Sequence, residues 1–336
     1  MSDLAEFAAE LETKEALDRA LKQLAKAKAR KEELVAAVYQ AARDAAEAAP
    51  FPTVTVPAKT RRTKDSETAI VLLSDWQLGK VTPSYSSDVC ATRIAQLAEK
   101  VRIVTDVQRS DHPVNECRVY LLGDLVEGEL VFPGQAHLID ASLFHQVMVD
   151  GPAILGQFIS DMLGYFDSVK VLGVIGNHGN LGGRARKDYH PESNADAMMY
   201  EATRMRFDQP TLDWKQTFIP GERAWYAKDQ IGEQEWFLFH GDQIKGGQLG
   251  FPWYGFGKKL GGWSNLYGFD YAVSGHFHTP VRGLYGAGSI VHWGNGSTES
   301  DNTYAAENLA AAGTPNQWLL YQSQTRVTAE YNLDLD

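Results

Sequence analysis

Five short polar motifs stand in order along this chain: Asp75-Trp76-Gln77, Gly123-Asp124, Gly176-Asn177-His178, His240-Gly241-Asp242 and Gly275-His276-Phe277-His278. Carboxylate, amide and imidazole side chains are oxygen and nitrogen donors. If they converge, they offer enough donors for two divalent cations. Each type also has a plainer use: a lone His240 could be a core histidine, and Asn177 a turn former. His276 and His278, two apart, would face the same side of a strand.

Each motif follows an apolar run that reads as a buried strand. The runs are Ile70–Leu73, Val119–Leu122, Val171–Ile175, Trp236–Phe239 and Tyr271–Val273. Polar groups at the carboxyl ends of strands lie where open α/β sheets bind ligands. Between the strands the pattern predicts helices: one carrying Ile94, Leu97, Val101 and Val104, a longer one from about Ser142 to Tyr165, and one from Ala195 to Arg206. The last third turns to strand at Gly288–Trp293, Gln317–Tyr321 and Thr325–Tyr331. Pattern alone therefore gives α/β with a mixed sheet.

The chain resembles the calcineurin-like metallophosphoesterase superfamily over residues from about 66 to about 300. That family carries D-x-H, G-D-x-x-D, G-N-H-D/E, a lone His after a strand, and G-H-x-H. The match departs at Gln77, where His is usual, at Gly179, which replaces the acid after Gly-Asn-His, and at Glu127, which takes the second acidic position of Gly-Asp-Leu-Val-Glu. The resemblance implies a four-layer αββα sandwich of two mixed sheets. It implies one cation held by Asp75, Gln77, Asp124 and His278, and a second held by Asp124, Asn177, His240 and His276. Asp124 would bridge them, the cations standing about 3.5–4 Å apart with a water between them that attacks phosphorus. It gives His178 a role beside the leaving group. The orienting acid is missing at Gly179, and Glu127, Asp188 and His137 are the candidates to replace it. An amide at Gln77 makes the donor set rich in oxygen, which suits Mn²⁺ or Mg²⁺ over Zn²⁺ or Fe²⁺. Within the family Gln occurs there in phage-encoded members and in certain manganese-dependent pyrophosphatases.

Two stretches are candidates for substrate contact. The loop after His178 ends in Arg184, Arg186 and Lys187, either a phosphate clamp or a solvated loop, and Gln135 and His137 lie in the loop after Gly123-Asp124, where the resemblance implies substrate contacts. After His240 come Gln243, Lys245, Gly246, Gly247 and Phe251-Pro252-Trp253-Tyr254. The aromatic pair could stack on a base or cap the core; the second reading is favoured. No G-x-x-x-x-G-K-[ST] and no G-x-S-x-G is present.

Residues 1–49 read as a helical extension, with Leu4, Phe7 and Leu11, and then Leu17, Leu21 and Leu24, at spacings of three and four within each group. It is either a hairpin packed on its own domain or a coiled coil for a homodimer or a partner protein. Lys26, Lys28, Arg30 and Lys31 could touch nucleic acid. Residues 50–67, with Pro50, Pro52 and Pro57, read as an extended, mobile linker, and 68–336 as the metallophosphoesterase domain.

With 336 residues and 44% apolar content the chain can bury a substantial core. A net charge of −11 argues against binding duplex DNA by bulk charge. Cys90 and Cys117 lack the spacing of a zinc or redox site and read as reduced thiols. No signal peptide or membrane span is evident, so a cytoplasmic location is expected, the host cytoplasm if phage-borne. Among members of the superfamily the resemblance is nearest to phage and prophage proteins grouped with DNA repair exonucleases. It implies a two-metal phosphodiesterase acting on nucleic acid, exonuclease-like and with DNA as the expected polymer. The alternatives are a small-molecule phosphatase or nucleotide pyrophosphatase, and an inactive family member that serves as a binding or assembly protein.

Overall fold

The computed structural model describes residues 65–182, 193–214, 225–245, 251–301 and 314–336, and isolated positions before and between them. By internal contacts the chain divides into Met1–Ala45 and Ala46–Asp336. In the first unit Lys22, Ala36, Ala37, Gln40, Arg43 and Asp44 are helical, and Gln40 Nε2 donates to Asp44 Oδ1 one turn on, at 2.7 Å. The rest of the extension over 1–49 lies outside the described residues.

The second unit begins earlier than the sequence suggests. Phe51 stacks on Phe207 with ring centroids 4.9 Å apart, and its N–H donates to the Arg206 carbonyl. Val54 and the Gln209 amide exchange two hydrogen bonds. At these two positions the stretch read as a mobile linker is fixed to the domain, because an aromatic ring gains from burial against another.

One six-stranded sheet runs β11-β10-β1-β2-β3-β4. Its strands are β1 (Glu67–Leu73), β2 (Val114–Leu121), β3 (Ser168–Gly173), β4 (Leu212–Trp214), β10 (Asn316–Gln322) and β11 (Val327–Asp334). β1 through β4 pair in parallel, and β10 and β11 are antiparallel. A five-stranded sheet runs β5-β6-β7-β9-β8, from β5 (Tyr226–Ile231), β6 (Gln234–Phe239), β7 (Tyr271–Ser274), β8 (Val281–Tyr285) and β9 (Ile290–Gly294). Here β6, β7 and β9 are parallel and the flanking pairs antiparallel. Both sheets are therefore mixed, and the fold is α/β.

The two sheets share one core. Ile70, Leu72, Tyr120, Leu122 and Val174 from the first meet Ile231, Trp236, Leu238, Val273 and Trp293 from the second. The central strand β1 is buried along its whole length, which is why it reads as an unbroken apolar run, whereas the edge strand β11 alternates. Helices α1 (Ser87–Arg109), α2 (Gly151–Tyr165) and α3 (Ala195–Arg204) belong to the first sheet's connections. Helix α4 (Trp253–Tyr267) packs Phe256, Leu260 and Trp263 against Phe237 and Phe239 on the second sheet. The result is the αββα layering. The helix expected from Ser142 is built in three parts: a short α-turn at Leu143–His145, a π-helical turn at Gln146–Asp150, then α2. π-Turns commonly mark functional positions, and this one aims Gln146 so that its Oε1 accepts from Gly128 N–H at 2.9 Å.

Cys90 and Cys117 are buried and free, and burial pushes their thiols up to about 11 and about 12. Among the described residues no helix is long and apolar enough to cross a membrane.

Between the two sheets, Asp229 of β5 is buried. It accepts from Tyr120 Oη at 2.9 Å and pairs with Arg118 Nε at 3.2 Å and with Lys170 Nζ, joining the two sheets. Its removal leaves Lys170 and a phenol without this acceptor and Arg118 with Glu116 alone. Asp229→Ala is therefore expected to cost about 3 kcal/mol, somewhat less for the water that reaches the two cations. Urea denaturation checks this; an unchanged midpoint would show that the ion cluster contributes nothing.

Candidate metal centre

The parallel strands all end at one edge of the sandwich. Asp75 and Gln77 follow β1, Asp124 follows β2, Asn177 and His178 follow β3, His240 follows β6, and His276 and His278 follow β7. The two histidines of Gly275-His276-Phe277-His278 are not on a strand, as their spacing suggested. They lie beyond the end of β7 with φ of +74° and +52°. Asp75, Gln77 and Asp124 also lie in the left-handed region, at +52°, +51° and +54°. Such backbone costs of order 1–3 kcal/mol per residue and concentrates at functional sites. It turns the chain sharply just beyond each strand end, where these donors sit.

That space is buried. Asp75, Gln77 and His240 are fully enclosed and Asp124 is 1% exposed. His240 Nε2 is 3.1 Å from both Asp124 Oδ2 and Asn177 Oδ1, and His278 Nε2 is 3.3 Å from Asp75 Oδ1. The His276 ring lies 5.0 Å from that of His240. Asp124, His240 and His276 each offer a ligand atom within 4.8 Å of the others. Asp75 accepts the His276 N–H on both oxygens at 3.0 Å, and Asp124 Oδ1 accepts the His178 N–H at 2.8 Å. Gly176 is required here, because a Cβ would stand 2.1 Å from Asp124 Oδ1.

Far nitrogens fix the near ones. His240 Nδ1 lies 2.7 Å from the Leu122 carbonyl and His278 Nδ1 lies 2.6 Å from Glu299 Oε1, so in both rings Nε2 is the nitrogen that faces the centre. Glu299 pairs in turn with Lys80.

Charge is balanced by protons. Burial pushes the Asp124 carboxyl up, but His240 and His178 outweigh it and hold it well below the usual carboxylate range. Burial opposes the charged form of His240 and His278, yet Asp124 raises the first and Glu299 and Asp75 raise the second, each to about 10. His276 goes the other way, to about 3, through burial and the charge of His240.

The donor set fits divalent cations. Asp124, His240 and His276 meet in one buried space with the Asn177 amide oxygen on His240 Nε2, and Asp75 pairs with His278 beside them. The Gln77 side chain is wholly enclosed, and neither its Oε1 nor its Nε2 has a hydrogen-bond partner among the described residues. A buried amide without partners costs about 1–3 kcal/mol, and a cation at Oε1 would remove half of that deficit.

Asp196 and Gln135 do work near the centre that the motifs did not reveal, and Glu127 takes one of the roles for which it was a candidate. Asp196, at the start of α3, accepts N–H groups from Asp124 at 2.9 Å, Leu125 at 3.0 Å, Val126 at 3.3 Å and Gly176 at 2.9 Å. Burial and the charge of Asp124 push it up to about 6, against the pull of those amides. Glu127 answers the question of what orients His178. Its carboxylate is 3.2 Å and its carbonyl 3.1 Å from His178 Nδ1. Gln135 locks Glu127 in turn, with Nε2 donating to its carbonyl at 3.0 Å and to Oε1 at 2.8 Å. Burial lowers the His178 imidazole, but Asp124 and Glu127 overcome it and raise it to about 9.

The acid missing at Gly179 has a steric reason. A Cβ there would meet Asn194 Oδ1 at 2.5 Å, and Asn194 is the cap of α3 that fixes Asp196. Of the other sequence candidates, His137 is exposed on a short 3₁₀ turn, and its neighbour Gln135 is the residue that reaches Glu127. Arg184, Arg186, Lys187 and Asp188 lie outside the described residues. Trp253 and Tyr254 do not cap the core; they are 51% and 86% exposed, and Phe251 is the ring that goes inside.

No protein-family model matches this chain, and no curated protein matches it. Among solved structures it is similar to a predicted phosphoesterase from Streptococcus pneumoniae, at 13% identity over 80% of this chain and 99% of that one, with a TM-score of 0.32. Vacuolar Protein Sorting 29 from Cryptosporidium parvum matches at 14% identity over 81% of this chain and 93% of that one, with a TM-score of 0.39. An archaeal phosphodiesterase matches at 11% identity over 79% and 99%, with a TM-score of 0.35. These scores are low, so the reading of the site rests on this chain's own residues.

Two outcomes follow from this geometry. Gly179→Asp, which restores the acid of the family pattern, is expected to destabilise the chain by about 1–3 kcal/mol through the clash with Asn194, without raising turnover; equal stability in urea would contradict the steric account. Because His240 and His278 carry protons below about pH 10 in the metal-free chain, cation binding must displace them. Affinity should therefore rise with pH between about 6 and 9. Calorimetry in buffers of different ionisation enthalpy measures the release, and a cation that binds without proton release would contradict it.

Proposed function

We propose that this chain is a phosphoesterase that uses two divalent cations, with a phosphodiester in nucleic acid as its substrate. The observation that carries the reading is the meeting of Asp124, Asn177, His240 and His276 at one buried spot beside the Asp75–His278 pair, and the buried Gln77 amide, two residues on from Asp75 and unpartnered among the described residues, supports it. One cation would be held by Asp75, Gln77, Asp124 and His278, the other by Asp124, Asn177, His240 and His276. Asp124 suits the bridge: Oδ2 faces His240, while Oδ1 sits on the His178 side. When bound, the two cations supply Lewis acidity, neutralising charge that develops on the phosphoryl oxygens and making water at the centre more acidic.

His178 supplies the proton. Its Nδ1 is committed to Glu127, which leaves Nε2 without a partner among the described residues. In the metal-free chain Asp124 and Glu127 raise this ring to about 9, and Glu127 is the partner that stays on it when cations take Asp124. An imidazolium oriented through one nitrogen can donate from the other to a departing oxygen. The alternative of an inactive assembly protein draws on Gly179 and Gln77; the Glu127 carboxylate beside His178 supports the active reading against the first of these. The nucleic-acid substrate comes from the resemblance to phage-type exonucleases, and manganese from the oxygen-rich donor set.

Metal-stripped protein assayed on bis(p-nitrophenyl) phosphate is expected to recover most turnover with Mn²⁺; strongest recovery with Zn²⁺ would count against the donor-set argument. Asp124→Asn should abolish turnover. His178→Ala should keep both cations and lose about 10²–10⁴-fold in kcat. Full turnover in His178→Ala would remove that residue from the reaction.

A further inference from the structure

The surface beside the centre continues the reading above and gives it a substrate form. Phe277 stands between His276 and His278, with its ring 4.8 Å from that of His276. It packs edge-on against Phe251 at 5.4 Å, and Phe251 contacts Trp253 at 4.8 Å. Three ring contacts thus lead from a candidate ligand to the first turn of α4, where Trp253 and Tyr254 present exposed rings side by side in sequence. Elsewhere the molecule buries its tryptophans where it can: Trp76, Trp236 and Trp293 are almost wholly enclosed.

Charge on this stretch runs against the rest of the chain. All 43 acidic residues lie outside positions 243–269, which hold Lys245, Lys258 and Lys259. Lys245 abuts the first turn of α4, its carbonyl 3.0 Å from where a Cβ on Gly255 would sit. Lys245 and Lys258 are exposed, and neither pairs with a carboxylate among the described residues. Lys259 lies 5.5 Å from the Trp263 ring centroid. Exposed rings with unpaired cations, joined to a candidate phosphoester centre through the buried Phe251, match a strand whose bases are unpaired. A duplex hides its base faces and would leave both rings without a use.

We infer that Trp253 and Tyr254, with Lys245 and Lys258, form a platform that binds single-stranded nucleic acid and leads its backbone to the centre. Bases stack on the two rings and the lysines take the phosphates. The inference rests on the proposed phosphodiesterase, and its test is separable from it.

The probe is a fluorescently labelled single-stranded DNA of mixed sequence, with its duplex as comparison. Binding to the full chain is read by anisotropy in EDTA, where no hydrolysis occurs. The single strand is expected to bind the more tightly. Trp253→Ala with Tyr254→Ala should weaken it roughly tenfold to hundredfold, and Trp253→Phe with Tyr254→Phe should recover most of the loss, which a folding defect would not. Lys245→Gln with Lys258→Gln should flatten the salt dependence. Equal affinity in wild type and the alanine double variant, equal affinity for duplex, or no binding of the single strand overturns the platform. So does a homodimer, seen by light scattering, that the alanine pair dissolves. If the strand binds as expected but bis(p-nitrophenyl) phosphate is never hydrolysed with any divalent ion, the platform stands and the proposed reaction falls.

Discussion

The centre depends on one buried carboxylate that touches no candidate ligand's side chain. Asp196 gathers four backbone N–H groups, three from the turn after β2 and one from the turn after β3. Those turns carry Asp124, Asn177 and His178. Asp124 sits in left-handed backbone, which an L-residue avoids unless surrounding contacts over-determine it. Asp196 supplies that determination, and Asn194 supplies it to Asp196 by capping the same helix. The empty space at Gly179 belongs to this arrangement, since any side chain there would push Asn194 away.

Electrostatics explain the rest of the local design. Asp75 and Asp124 lie buried in one space, and two enclosed carboxylates need positive charge nearby. In the metal-free chain imidazolium protons provide it, at His240 and His278, each with both ring nitrogens facing acceptors. Divalent cations would replace those protons and also satisfy Gln77, which protons cannot do. His178 stands apart from this exchange. It is tied to Glu127, and Glu127 to Gln135, so its orientation is set from the protein side of the centre.

Much of this was legible before any coordinates. Buried parallel strands read as short apolar runs because both faces are covered, and the polar residue after each run marks its end. The positions of Asp75, Asp124, Asn177, His240, His276 and His278 follow from that reading, as does their convergence at one sheet edge. What stayed hidden depends on distance across the fold. Asp196 shows in sequence only as an acid in the first turn of a capped helix, a common signal with an electrostatic use of its own. Glu299 follows β9, whose neighbours in the sheet no local pattern specifies. Glu127 is one of three candidates for orienting His178, and its place 3.2 Å from Nδ1 depends on contacts across the fold. His276 and His278 were read as a strand pair because alternation and a left-handed turn can both place every second residue on one side. Trp253 and Tyr254 follow the apolar Phe251, and a run of aromatics looks the same whether it faces the core or water.

The most direct test of a two-cation centre is anomalous diffraction from crystals of the full chain loaded with Mn²⁺. Two anomalous peaks are expected about 3.5–4 Å apart, bridged by Asp124, with Gln77 Oε1 on the one nearer Asp75. A single peak that Asp124 does not touch, or cations bound only outside this ring of donors, would contradict the account.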